Sequence, residues 1–441
     1  MSKSVIKYSI GIRLAIIAFL TLILLIPALM IQSLITERKE RRDSAASEIS
    51  DKWGNSQTLA GPVLSIPYYS YLKDDNNNLI RNINYAHFLP EDLRIEGNIK
   101  PEIRYRGLYE VVVYNGRLNL SGVFNPPDLN GLNVPVQDII WKDAILSVGI
   151  TDMKGIQDFI EIVWNEKKYS ANPGIESKDV LFSGISINPL SNEEQVKKYE
   201  FNIQINLNGS YGLFFVPVGK ETRVELTSDW NNPSFTGTYL PENREITKDG
   251  FRASWKILHL NRNFPQSWLG PQYKVSDSAF GVDLLLAIDE YQKTMRTTKY
   301  AILFLSLTFL TFFMIELLSK KVIHPIQYML IGFALLIFYT LLLSLSEYLL
   351  FKYAYLIASA AIIILISLYS ISVLQNLRQT GIITGILVLL YGYLYTILQL
   401  QDYALLMGSI GLFIVLAVVM YLTRRIDWFT IISEQGSKDS V

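Results

Sequence analysis

The sequence predicts an α+β membrane protein with six transmembrane helices, one N-terminal and five C-terminal, and a large β-rich domain inserted after the first helix. Two observations predict this class. Half of the 441 residues are hydrophobic, and long uncharged runs lie towards both ends of the chain. Between them, about 200 residues form short alternating or β-branched runs separated by turn formers, which are typical of strands. The uncharged runs have the length that a membrane-spanning helix requires.

The composition excludes several classes of function. The 40 Lys and Arg residues balance the 40 Asp and Glu residues, so the net basic charge that nucleic-acid binding requires is missing. The chain has no cysteine, which excludes disulfides, thiolate catalysis and Cys-based metal sites. His87, His259 and His324 are far apart and form no HxxxH or HExxH pattern, so we expect no His-rich metal centre. We predict no cofactor, no metal site and no catalytic residues.

The N-terminal region predicts a membrane anchor followed by a stalk. Lys3, Lys7 and Arg13 precede an apolar run at residues 14–34, the first predicted span, so residues 1–34 form the cytoplasmic N-terminus and first transmembrane helix. The run exceeds the core of about 7–15 residues that signal peptides have, and no A-x-A pattern follows it. We therefore expect an uncleaved anchor. Residues 35–60 are predicted as a stalk helix, because their charges interleave and no glycine or proline occurs before Gly54.

A second stalk is predicted where the chain returns to the membrane. Residues 282–324 contain neither glycine nor proline, and their first part is amphipathic. Apolar residues recur there at helical spacing: Leu284, Ile288, Tyr291 and Met295. We predict one unbroken helix that runs from water into lipid, with residues 280–299 forming a second stalk helix beside the first and residues 300–317 the second span.

Residues 61–279 are predicted to form the β-rich domain. The predicted strands share alternating or β-branched composition; they lie at 63–71, 103–114, 116–124, 143–150, 159–164, 180–187, 199–207 and 222–228. Residues 248–258 also fit a strand, because Phe251, Ala253, Trp255 and Ile257 alternate with polar residues. So many short strands favour a sandwich or an irregular barrel.

This domain carries no recognised catalytic motif: no GxSxG elbow, P-loop or GxGxxG is present. The most conspicuous polar group comprises Asp229, Trp230, Arg244 and Glu245. These four are candidate interaction residues. The competing interpretation is a turn beside a salt-bridged strand edge.

The C-terminal block, residues 300–423, is predicted to contain the five remaining spans. After residues 300–317 they lie at 326–346, 353–373, 382–398 and 403–422. Basic residues of the short loops fall mostly on one side; they are Lys3, Lys7, Lys320, Lys321, Arg378, Arg424 and Arg425. Because basic loops remain in the cytoplasm, both termini, including the tail at 424–441, are predicted to be cytoplasmic and the β-rich domain outside.

Ionisable residues near the predicted spans are further candidates, because such groups are functional by default inside a bilayer. Glu316, Glu347 and Asp402 lie at predicted span ends, and the simpler interpretation is an interfacial charge in contact with water. A cavity between the last four spans would be lined by Gln327, Tyr339, Ser344, Ser346 and Tyr391. Gln327, Glu347 and Asp402 are therefore candidate interaction residues.

Nearly the whole chain resembles the CreD family of inner membrane proteins. The stretches that carry the resemblance are residues 41–68, 106–114, 216–257, 280–304 and 324–348, followed by QLQDYALLMGS and the terminal TRRIDW. The resemblance implies a multipass protein of the Gram-negative inner membrane with a periplasmic domain. It also implies a role in an envelope-stress or antibiotic response under a Cre-type two-component system, linked to colicin tolerance. It supplies no biochemical mechanism and no catalytic residues.

Three functional hypotheses follow. The leading one is a non-enzymatic protein whose β-rich domain binds or scaffolds an envelope component and so maintains envelope integrity. The alternative is a transporter or lipid-handling protein with a cavity in the C-terminal block. The third is a membrane-embedded enzyme that uses Asp229, Arg244 and Glu245. The expected partners are membrane lipids, with other envelope proteins or lipid and peptidoglycan components as further candidates, and no nucleic acid.

Overall fold

The structure is a computed structural model that describes residues 10–73, 79–190, 198–286, 290–319, 322–399 and 403–424. It divides into two compact units. One consists of Met1–Arg41 and Ile288–Val441, and the other of Arg42–Ala287. We call them the helical unit and the β unit. The N-terminal apolar helix, the large β domain and the C-terminal apolar helices agree with the predicted fold class.

The described helices follow the apolar runs of the sequence. They are α1 (Ile10–Trp53), α2 (Glu290–Lys299), α3 (Ala301–Ser319), α4 (Pro325–Ser346), α5 (Phe351–Leu374), α6 (Leu377–Gln399) and α7 (Ala404–Thr423). The 44 residues of α1 form one helix, as predicted for the first span and residues 35–53.

The β unit contains two sheets. Their strands are β1 (Gln57–Lys73), β2 (Leu79–Phe88), β3 (Asp92–Arg106), β4 (Tyr109–Phe124), β5 (Ile145–Ile150), β6 (Glu161–Trp164), β7 (Lys167–Ser170), β8 (Asn172–Pro173), β9 (Gly184–Ile187), β10 (Tyr199–Ser210), β11 (Gly212–Val216), β12 (Glu221–Ser228), β13 (Pro233–Gly237), β14 (Asn243–Thr247), β15 (Gly250–Leu258), β16 (Ser267–Leu269) and β17 (Phe280–Leu284). One sheet has the order β13-β17-β11-β1-β5-β9-β8, with β2 and β16 continuing from β1. The other has the order β14-β15-β12-β3-β4-β10-β6-β7.

The two sheets share one apolar core, which makes the β unit a sandwich. Within β15 the predicted alternation is confirmed, since Phe251, Ala253, Trp255 and Ile257 are all buried. The Trp255 ring lies 5.6 Å from that of Phe280, on β17 of the facing sheet. Every second side chain along such strands is buried, and these side chains from both sheets fill the space between them.

The last turns of α1 belong to the β unit and cover the outer face of β4. Ala46 packs with Val111 and Val113, with Ile49 and Trp53 at the edge of this cluster. Charged groups border it. The Arg106 guanidinium contacts the Glu48 carboxylate at 2.8 Å, and the Arg104 guanidinium lies 3.6 Å from the Trp53 ring centre. The polar part of α1 is thus packed against the sheet and is not simply a solvated helix.

The predicted unbroken helix from Val282 to His324 is wrong. Residues 280–284 form strand β17, in which Phe280, Val282 and Leu284 are buried. Leu284 fits both the alternation with Phe280 and Val282 and the helical spacing with Ile288 and Tyr291, and sheet pairing decided between them. The strands of the β unit therefore extend from Gln57 to Leu284, beyond both predicted boundaries of 61–279, and the second stalk cannot begin at residue 280.

Within the remaining segment, α2 and α3 meet at an angle of 45°. Thr297 and Thr298 donate hydroxyl hydrogen bonds to the carbonyls of Lys293 and Thr294 just before this break. Such bonds bend helices.

The predicted count of six spans is not confirmed. Among the described residues, four helices are long and apolar enough to cross a membrane, and the bent pair of α2 and α3 brings the number to five. The apolar part of α7, Leu406–Tyr421, is shorter.

The helical unit has a core in which α1 contacts the C-terminal helices. Leu20, Leu24 and Ala28 of α1 belong to the same buried cluster as residues of α3 to α6. Gly332 of α4 permits this approach. A Cβ atom added there would lie 2.2 Å from Leu24 Cδ1 and 2.9 Å from Phe309 Cζ. Small residues allow close helix packing in membranes.

Replacing Gly332 with leucine should therefore loosen the contact of α1 with α4. We expect Gly332→Leu to destabilise the full-length protein by about 1–3 kcal/mol, the usual range for overpacking. Thermal unfolding in lipid nanodiscs measures the effect. Gly385→Leu on α6 is the matched control, because a Cβ at Gly385 meets no atom within 4 Å. Equal midpoints for the two variants would contradict the prediction.

Candidate functional site

An ion pair with a tyrosine partner joins three helices of the helical unit. Arg13 Nη1 on α1 donates to Glu316 Oε1 on α3 at 3.0 Å. Tyr328 OH on α4 donates to Glu316 Oε2 at 2.8 Å. Glu316 is 3% exposed, so its carboxylate is stabilised by these two donors and not by water. We call these three residues the Glu316 network.

This network corrects the interpretation of Glu316 as a charge in contact with water. It also changes the interpretation of Arg13, which the sequence suggested only as a flanking cation. A carboxylate buried among apolar helices needs a partner, because an unpaired charge there is strongly destabilising. One feature of the sequence could have indicated this pair. Arg13 and Glu316 have opposite charges, and each lies beside or within a separate apolar run.

Two other candidates of the helical unit, Glu347 and Gln327, contact residues of the same unit. Glu347 is partly buried and forms an ion pair of 3.7 Å with Arg38. The Gln327 side chain accepts a hydrogen bond from the backbone N–H of His324 at 2.9 Å and so helps to cap α4. Asp402 lies outside the described residues.

Only part of the predicted cavity lining is brought together. Ser344 is exposed, and the Ser346 hydroxyl donates to the Leu343 carbonyl at 2.9 Å. Tyr339 and Tyr391, by contrast, are buried in the core of the unit. The Phe338 ring lies 5.0 Å from the Tyr339 ring and 4.8 Å from the Tyr391 ring.

The four candidate residues of the β unit do not form one site. Arg244 and Glu245 stand on the exposed edge strand β14 and line a shallow groove with Glu225 and Arg252. Asp229 is exposed directly after β12.

Trp230 packs against the core, and its indole N–H donates to the Leu285 carbonyl at 3.2 Å. Among the described residues, no group of three or more His, Cys, Asp and Glu could hold a metal ion.

A buried histidine is the polar centre that the sequence did not reveal. His87 on β2 is fully buried; its Nδ1 lies 2.9 Å from Ser65 Oγ and its Nε2 3.2 Å from Asp179 Oδ2. Ser65 is its cross-strand neighbour on β1, and Trp268 is its neighbour on β16. Asp179 is 92 residues away in sequence, so no local pattern indicated the contact.

Burial lowers the pKa of His87, and the hydrogen bond to Asp179 opposes this effect. The Ser65 hydroxyl is itself buried, at 5% exposed. A nucleophile must reach its substrate, so this buried Ser-His-Asp arrangement is suited to holding two strands and the loop of Asp179 together.

Arg262 is a buried cation that binds backbone carbonyls. Its Nη1 donates to Phe264 O at 2.8 Å and its Nη2 to Val218 O at 3.2 Å. Burial lowers the pKa of Arg262 to about 10, so the side chain remains charged at neutral pH. These contacts hold the loop after β15 against the loop after β11. Because Nη1 and Nη2 already donate to backbone carbonyls, they are not free to bind a ligand.

Comparison with known proteins identifies the family. The family model described as inner membrane protein CreD matches residues 9–429. The chain is also 33% identical to the inner membrane protein CreD of Escherichia coli (strain K12) over 413 residues, which covers 92% of this chain and 91% of the relative. The chain belongs to the CreD family. The family is one of membrane proteins, which agrees with the apolar helices of the helical unit.

In this CreD-family chain, the Glu316 network should dominate the stability of the helical unit. We expect Glu316→Gln to destabilise the protein by roughly 3 kcal/mol, because the partly buried Arg13 loses its counter-charge. Glu347→Gln should change stability by less than about 1 kcal/mol, because Arg38 is 40% exposed. Thermal unfolding in nanodiscs measures both. The double variant Arg13→Gln/Glu316→Gln should lose less stability than Arg13→Gln and Glu316→Gln lose together. If the losses of these two single variants simply add in the double variant, the two residues are not a coupled pair.

The lowered pKa of His87 predicts a pH dependence for the β unit. In the unfolded chain His87 takes up a proton near pH 6.5, whereas the folded environment disfavours that proton. Its contribution to stability is therefore complete above about pH 6.5 and falls as the pH decreases towards the lowered pKa.

We expect the unfolding midpoint of the full-length protein, followed by tryptophan fluorescence, to decrease between about pH 7 and pH 5. The decrease should be smaller in His87→Gln than in His259→Gln, which changes a less buried histidine after β15. Identical pH profiles for the two variants would show that His87 is not responsible.

Proposed function

We propose that this protein is a non-enzymatic inner-membrane protein of an envelope-stress or antibiotic response, and that its β unit binds or scaffolds an envelope component. In this role it contributes to envelope integrity, with both termini in the cytoplasm and the β unit in the periplasm. Family membership and the distribution of Lys and Arg in the short loops support the location. The observation that carries the binding role is an exposed apolar ribbon at one end of β1 and β2.

The ribbon consists of residues 69–73 of β1 and residues 79–83 of β2. Tyr69 pairs with Ile83, and Tyr71 pairs with Arg81. The pairing of β1 with β5 ends at Ser65, and that of β2 with β16 involves only Ala86, His87 and Phe88. Among the described residues, the ribbon is therefore two strands wide.

Apolar side chains of the ribbon are exposed to an unusual degree. Leu79 is 67% exposed, Ile83 55% and Tyr71 52%. Two-stranded ribbons are only marginally stable in water without a covering layer. Contiguous exposed apolar residues commonly mark interaction sites. A partner that covers the ribbon would bury these side chains and stabilise it.

The non-enzymatic part of the proposal is supported by how the polar centres of the β unit are used. His87 and Arg262 are buried, and the hydrogen bonds described above engage them with protein groups. Arg252 and Glu225, beside the surface groove, pair with each other at 3.3 Å. Such centres stabilise a scaffold, and none combines an accessible nucleophile with an activating base.

Site-specific photo-crosslinking in native membranes tests the proposal. A photoreactive phenylalanine at position 79, on the same face of β2 as Ile83, should form a defined adduct with an envelope component in the full-length protein. Position 159 is the control, because Phe159 is 98% exposed but lies outside the ribbon. Ile83→Ser should reduce the adduct at position 79 and weaken the envelope phenotype of the producing strain. Equal labelling at positions 79 and 159, or an unchanged phenotype, would refute a binding role for the ribbon.

A lipid-handling or transport role remains the second candidate. One observation favours it: Tyr339 and Tyr391, two of the residues that the sequence assigned to a cavity, both lie inside the helical unit.

A further inference from the structure

Four helices of the helical unit converge on a cluster of aromatic rings. Tyr391 of α6 is at the centre. Its ring lies 4.8 Å from that of Phe338 on α4 and 5.2 Å from that of Phe304 on α3. Tyr355 of α5 lies 5.5 Å from Phe338. Tyr339 joins the cluster through Phe338, 5.0 Å away. We call these five residues the aromatic cluster.

The hydroxyls of the cluster differ in how they are satisfied. Tyr355 OH donates to the Tyr391 backbone carbonyl at 2.7 Å. The hydroxyls of Tyr339 and Tyr391 are buried, and neither has a hydrogen-bond partner among the described residues. Their side chains are only 1% and 2% exposed. The rings of Tyr339 and Tyr391 both contact the ring of Phe338, at 5.0 Å and 4.8 Å, so the two tyrosines lie near one another.

A third hydroxyl belongs to the same interior. Thr308 of α3 is 1% exposed, and its Oγ1 likewise has no partner among the described residues. It follows Phe304 by four residues, which places both on one face of α3. In most helices a buried threonine hydroxyl bonds to the carbonyl four residues earlier, as Thr311 does with Leu307 at 2.8 Å.

Buried hydroxyls are nearly always hydrogen-bonded, because burying one without a partner is unfavourable by about 1–3 kcal/mol in proteins. Two or three such groups in one apolar interior indicate a shared partner. We propose that Tyr339 and Tyr391 form a binding site for an uncharged ligand, which they hold through an alcohol or ester oxygen.

The surroundings determine the ligand class. Within the described contacts, Tyr339, Tyr355 and Tyr391 meet aromatic rings and one backbone carbonyl, and no ionised side chain is among them. A charged group would therefore enter without a counter-ion. A tyrosine hydroxyl both donates and accepts, so it suits an alcohol as well as an ester carbonyl. Aromatic rings supply apolar contact to the rest of such a ligand.

This site gives the lipid-handling alternative a location and a ligand class, and it does not depend on what binds the ribbon of the β unit. Neutral lipids and neutral solutes both carry the required oxygen. The experiment therefore uses dioleoylglycerol as the lipid probe and glycerol as the solute probe.

Thermal unfolding of the full-length protein in phosphatidylethanolamine and phosphatidylglycerol nanodiscs tests the site. We expect one probe to raise the wild-type midpoint, and the identity of that probe gives the source of the ligand. The variant Tyr339→Phe/Tyr391→Phe should lose the shift, with probe affinity about tenfold lower for each hydrogen bond removed. Tyr353→Phe/Tyr421→Phe should keep it, since both tyrosines are more than half exposed.

The response of the phenylalanine variant to the probe decides the outcome. If the two hydroxyls do not hold the probe, the variant will show the same midpoint shift as the wild type. That result, or a wild-type midpoint that neither probe changes, overturns the proposal. The single variants Tyr339→Phe and Tyr391→Phe supply the same readout if the double variant does not fold.

Discussion

The burial of the Glu316 carboxylate is the constraint on which the helical unit depends. An ionised group inside an apolar bundle requires donors at fixed positions, and here they come from Arg13 of α1 and Tyr328 of α4. Apolar packing alone is weakly directional in lipid, because lipid chains are as apolar as leucine. The network therefore specifies which faces of α1, α3 and α4 meet. Gly332 then allows α1 and α4 to approach closely at Leu24.

The β unit is stabilised differently, because water competes for each of its exposed hydrogen bonds. Its two sheets share an apolar core, and polar side chains within that unit hold connecting segments in place. His87 joins two strands to the loop of Asp179, and Arg262 fixes two further loops through their carbonyls. These polar side chains therefore form their hydrogen bonds within the β unit. The outer surface remains available for recognition, and the ribbon of β1 and β2 exposes apolar side chains there.

Both proposed interactions follow from groups that the fold leaves unsatisfied. In the β unit these are apolar side chains in water, such as Leu79 and Ile83. In the helical unit they are hydroxyls in an apolar core, at Tyr339 and Tyr391. Each group has the opposite polarity to its surroundings, and a partner of matching chemistry would stabilise it. On these two proposals, each unit of the chain has one recognition surface.

The sequence by itself determined the fold class, the helical content of the apolar runs, the alternation of β15 and the family. These features depend on residue periodicity and composition within short windows. Tertiary structure decided the rest. Leu284 fits a strand with Phe280 and Val282 as well as a helix with Ile288 and Tyr291, and pairing of β17 with β11 and β13 selected the strand. The partners of Glu316 and His87 lie 303 and 92 residues away, at Arg13 and Asp179. No local pattern records such distances, because a charge or a ring nitrogen acquires its partner only when separate elements pack together.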